Sequence, residues 1–149
     1  MKFNHKGSSR IEPISKDETT FYIKIRELLI HLSSFRNTYL DTLNISYSIV
    51  ITSLKFFKLD KTCGADDLID LLVYVIKRIY KIGINGSKKK MYILFHITLF
   101  KLQYIIDNPP SNADDSIMEK YSCIIHIYSI LDYIINKKYK NENSKEVVK

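Results

Sequence analysis

The chain has no tryptophan, four glycines, three prolines and two cysteines in 149 residues. Each scarcity excludes something. A β-sandwich or barrel needs tight turns at short intervals, and so few Gly and Pro leave too few of them. Two cysteines cannot form the framework of a disulfide-stapled fold. Cys63 and Cys123 also have no histidine at metal-ligand spacing, because His5, His31, His96 and His126 fall in different segments. No zinc site and no cofactor are read from the chain. Met1 to Arg10 is polar, unlike a signal peptide, so the thiols are read as core thiols in a reduced, intracellular compartment. Lys55, Lys77 and Lys101 cut the richest apolar stretches below the roughly 20 residues that a membrane span requires. Arginine is scarce as well, with only four among 23 basic residues.

What is present is a chain that is 46% hydrophobic, with its apolar residues recurring at helical rather than alternating intervals. This predicts one all-α domain, a helical bundle of about five to six helices around a buried central helix. The formal charge of +7 rests mainly on lysine, a poorer bidentate reader of bases and phosphates than arginine. A solvated lysine surface is the favoured reading, and nucleic acid the disfavoured partner. The densest basic run, Lys88, Lys89 and Lys90, with Lys77, Arg78 and Lys81 upstream, would make a weak patch for an acidic membrane surface or an acidic partner.

Residues 1–14 are expected to be flexible, 15–138 to form the helical domain, and 139–149 to be a lysine-rich flexible tail. Ser15 with Glu18 has the form of a capping box, followed by a stripe of Phe21, Ile25, Leu28, Leu29 and Leu32. A second helix is predicted from Thr38 to Lys58 on Leu40, Leu43, Tyr47, Val50, Leu54 and Phe57. The third, Asp66 to Ile82, is apolar over most of its circumference and closes on Gly83 and Asn85-Gly86. A fourth spans Ser87 to Ile106 and stops at Asn108-Pro109-Pro110. The fifth, Asp115 to Lys138, carries Ile117, Met118, Tyr121, Ile124, Ile125, Tyr128, Leu131 and Ile135.

Within this pattern the start of the third helix stands out, because Gly64-Ala65-Asp66-Asp67-Leu68 puts two carboxylates ahead of Leu71-Leu72-Val73-Tyr74-Val75-Ile76-Lys77. Capping of free backbone N–H groups would account for one acid, not two. These residues resemble the vacuolar-protein-sorting-nine family of guanine nucleotide exchange domains, which activate early-endosomal Rab GTPases. The family's hallmark is an Ala-Asp-Asp/Glu step opening a buried helix that reads Leu-hydrophobic-Tyr-hydrophobic. The resemblance spans about residues 38–134, with its specific part in 64–77. Glu119 falls where the family has a Glu shortly before its conserved tyrosines. The sequence departs from the family at Asp70, usually proline, at Arg78 to Lys81, where Asn-Pro-Pro is missing, and at the Tyr-x-Thr site, where Tyr121 is displaced by one residue.

The resemblance implies an all-α exchange factor for a Rab-family GTPase, cytoplasmic and peripheral on endosomal membranes. Asp66 would be the catalytic acidic finger, with Asp67, Glu119 and Tyr121 as GTPase-binding residues. Tyr74 is expected in the core with its hydroxyl at the edge. No Ser-His-Asp arrangement, paired-carboxylate motif or phosphate-binding glycine loop offers hydrolytic chemistry. The rival reading is a non-catalytic helical interaction module, either a decayed exchange domain or a bundle like the viral apoptosis-blocking proteins that hold an amphipathic helix in a groove.

Overall fold

The computed structural model describes residues 15–147, with side chains for 15–136. The segment 1–14 lies outside the described residues, as do the side chains of the lysine-rich tail. Five helices follow one another: α1 (Lys16–Leu32), α2 (Tyr39–Phe56), α3 (Ala65–Ile82), α4 (Lys88–Asp107) and α5 (Asp115–Val147). No strand occurs among the described residues. The single-domain helical bundle read from the sequence is what forms, and α5 runs on past its expected end at Lys138.

Each helix starts where a short polar side chain can satisfy its free N–H groups, except α3. Ser15 Oγ accepts from the Glu18 N–H at 3.1 Å. Thr38 and Asp41 form a reciprocal capping box, both bonds at 3.1 Å. Ser87 Oγ accepts from Lys90, and Asp114 caps α5 through the Ile117 N–H at 2.9 Å. α2 ends in a Schellman turn: Lys58 takes φ 57° and the Leu59 N–H reaches back to Leu54 O at 2.9 Å. Between α3 and α4, Asn85 and Gly86 both have positive φ, as a type I′ turn demands. Gly83 at φ 71° cannot be replaced without a clash, because a Cβ there would lie 2.6 Å from Ser87 O.

α3 packs against all four other helices. Leu71, Leu72, Val75, Ile76 and Ile79 are buried in the core. Its apolar band is nevertheless narrower than expected, since Ile69 and Ile82 are exposed and Leu68 and Val73 half-buried, which keeps one face of the central helix wet. α2 and α5 make the most extensive pairing. The buried stripe of α2 combines Leu43, Ile49, Val50 and Leu54 with Thr42, Ser46 and Ser53, small side chains that allow close helix approach. Ser53 Oγ donates to Ile49 O at 2.8 Å and so buries no unpaired hydroxyl. Leu40, expected on the seam, is exposed, as are Met118 and Ile125 on α5.

Two devices fix the ends of the bundle. Phe21 stacks on Phe56 at 4.3 Å and meets Phe57 edge-on at 5.6 Å, and Phe57 meets Tyr74 edge-on at 6.1 Å. This ring cluster joins α1, α2 and α3, and puts Tyr74 at the core's edge as expected. At the other end Lys101 Nζ, on α4, donates to Leu32 O at 2.8 Å and Ser34 O at 2.6 Å. It thereby satisfies carbonyls that the end of α1 leaves free. Burial pushes the pKa of this ammonium down.

Candidate functional site

α3 begins on Gly64, which has no side chain to cap with, so Ala65, Asp66 and Asp67 take the first three helical positions. Neither acid is the N-cap. Asp66 is exposed and Asp67 half-buried; one turn on, Asp70 and Ile69 are exposed. Together with Gly64 and Ala65 they line an open depression at the surface. Negative charge there matches the positive end of the α3 macrodipole, so the helix tolerates three carboxylates in its first two turns.

The start of α5 is tied to this end of the molecule. Glu119 lies 3.3 Å from Lys61 in the α2–α3 loop. The Lys61 ammonium is 5.2 Å from the centre of the Tyr47 ring, and Lys120 approaches the same ring at 5.7 Å while donating to Asn44 Oδ1 at 2.8 Å. Hydrogen bonding to Tyr47, then to Glu119, pushes the Lys61 pKa up. Lys61, Tyr47 and Lys120 were not candidates in the sequence, since nothing local marks residues that meet only through tertiary packing.

Tyr121 belongs to the buried core. It is 8% exposed and its hydroxyl donates to Ile106 O at 3.1 Å, linking α5 to the last turn of α4. The structure thus puts Tyr121, expected as a GTPase contact, in the packing between α4 and α5. The reason is helical register: Tyr121 lies on one stripe with Ile117 and Ile124, which face inward, whereas Glu119 and Ser122 point to solvent. Cys123, next along α5, is buried and free, and burial, followed by the Glu119 charge, pushes its pKa up to about 11. Cys63 is free and half-buried.

A second surface lies on α4. Lys88, Lys89 and Lys90 are exposed on its first turn, where no acid accompanies them. Further along, Phe100 and Tyr104 are 77% and 69% exposed, and with Phe35 and Tyr39 they line an apolar groove whose charged member is Lys101. α4 buries Met91, Phe95, Thr98, Leu102 and Ile105, so its exposed apolar residues form a second, separate stripe.

No helix among the described residues is long and apolar enough to cross a membrane. The chain matches no family model, and no curated protein or solved structure is detectably similar to it.

Proposed function

We propose that the protein is a guanine nucleotide exchange factor for a Rab-family small GTPase, with Asp66 as the residue that drives nucleotide release. One observation carries the reading: Asp66 projects into solvent at the rim of an open depression, without serving as the cap of its helix.

A GTPase holds its nucleotide through a phosphate-loop lysine and Mg²⁺, and affinities from nanomolar to picomolar correspond to about 12 to 16 kcal/mol. An exchange factor must stabilise the nucleotide-free GTPase more than the bound form, because equal affinity for both shifts nothing. A carboxylate on a packed helix can supply that difference. Placed where the β-phosphate and Mg²⁺ sit, Asp66 offers the lysine a substitute partner and repels the leaving phosphates. Asp67 and Asp70 extend the negative field, and Glu119, held by Lys61, supplies a contact from α5. Lys88, Lys89 and Lys90 would add a weak attraction to an acidic endosomal membrane.

The burial of Tyr121 favours a second reading, an interaction module that keeps the helix architecture without exchange activity. Release of fluorescent GDP from a panel of endosomal Rab proteins separates the two. Acceleration by the wild type that disappears in Asp66→Ala supports exchange. No acceleration of any Rab by folded, helical protein leaves the interaction module.

A further inference from the structure

α4 carries more apolar surface than the bundle can use. Ile93, Ile97, Phe100 and Tyr104 are 49%, 38%, 77% and 69% exposed. Their spacing of four, three and four residues places them on one face, the a/d pattern of a helix that packs against another helix over its length. Extended by three residues in each direction, the same register reaches Lys90 at one end and Asp107 at the other, both exposed. A seam of about 27 Å is therefore apolar in the middle, positive at its start and negative at its end.

Those end charges oppose α4's own macrodipole. Lysines occupy the first turn, where anions are favoured, while Asp107 stands in the last turn, which has no basic residue. A helix running the other way beside it would make both ends favourable.

We propose that this face of α4 is a homodimer interface, in which the α4 helices of two copies pack antiparallel about a two-fold axis level with Thr98 and Leu99. In that register Ile97 meets Phe100 of the second copy, Ile93 meets its Tyr104, and Lys90 meets its Asp107. Each pairing occurs twice, as a two-fold interface requires. Every apolar layer sets an aromatic ring against a β-branched side chain, so bulk is matched along the seam. A parallel pairing would set Lys90 against Lys90 and Asp107 against Asp107, so the charges select the antiparallel arrangement. The surface is separate from Asp66 and the proposal does not depend on exchange activity.

Sedimentation equilibrium of the full chain from about 1 to about 100 μM tests it. The wild-type mass should rise toward twice the 17.5 kDa of one chain. Phe100→Glu should remain at one chain mass throughout while its circular dichroism stays helical, because the side chain it replaces is already exposed. Lys90→Glu should weaken the dimer on the order of tenfold by setting like charges opposite Asp107 twice, and Lys90→Glu combined with Asp107→Lys should restore it. A wild type that stays monomeric over the whole range overturns the proposal, as does a dimer indifferent to Phe100→Glu. Failure of Asp107→Lys to restore the dimer that Lys90→Glu weakens would mean that residues 90 and 107 do not face each other, and would overturn it equally.

Discussion

α3 and α4 begin with opposite charges at the same end. Asp66 and Asp67 lie in the first turn of α3, where the macrodipole favours them. Lys88, Lys89 and Lys90 lie in the first turn of α4, where it does not. The difference teaches caution in one place and attention in the other. An acid at a helix start is explained by stability alone, so what points to function at Asp66 is its exposure beside a depression and its freedom from capping. The lysines of α4 work against their own helix, and it is from this mismatch that the antiparallel pairing of α4 is proposed. Both starts are accessible, whereas Tyr121, which ties α5 to the end of α4, and Lys101, which ties α4 to the end of α1, are committed to the fold.

Substitutions that separate support from function should therefore give the largest effects. Tyr121→Ala removes a buried ring and should destabilise the protein by about 3 to 5 kcal/mol in urea unfolding. Tyr121→Phe removes only the bond to Ile106 O and should cost about 1 kcal/mol. If Tyr121 were a partner contact instead, Tyr121→Phe would leave stability untouched and reduce binding.

Next in size is a pH effect behind the acidic end. The Cys123 thiol has its pKa raised from 9.0 to about 11. The native state thus keeps a proton that the unfolded chain gives up, so stability is complete below pH 9 and falls as pH rises toward 11. The loss should amount to about 2 to 3 kcal/mol over that interval, and Cys123→Ala should lack it, so that the difference in stability between wild type and variant changes by that amount. On the α4 side, Lys101→Met leaves Leu32 O and Ser34 O without their donor and should cost about 1 to 3 kcal/mol, measured by denaturant unfolding.

The smallest effects belong to the helix starts themselves, and their signs are opposite. Lys88→Glu and Lys89→Glu should each raise thermal stability by about 0.3 to 1 kcal/mol at low salt, while Asp66→Ala should lower it by no more than about that amount. Both changes should shrink in high salt. Equal signs for the two helices would remove the contrast between them.

The helices were legible because their signals are local. Ser15, Ser87 and the Asn85-Gly86 turn act within four residues, and the apolar stripe of α1 names most of what that helix buries. Tyr121 was legible only in part: the helical stripe with Ile124 marked its place, but its likeness to a family tyrosine assigned it to a GTPase contact, and only packing against α4 shows the ring buried. Lys101 could not be read, because its partners lie 69 and 67 residues away. The same holds for Lys61 with Glu119, which meet only after α2, α3 and α5 have packed. α4 presents two apolar stripes in sequence, and periodicity cannot say which one faces the core. Packing decides that, and it leaves Phe100 and Tyr104 outside.

The central claim is that Asp66 gives the protein a preference for a GTPase emptied of nucleotide. It is tested most directly by measuring the affinity of the wild type and of Asp66→Ala for one Rab protein, both nucleotide-free and GDP-loaded. The account predicts that the wild type binds the nucleotide-free form at least about tenfold more tightly, and that Asp66→Ala loses this preference while staying folded. Equal affinity of the wild type for the two forms, or a preference that survives in Asp66→Ala, would contradict it.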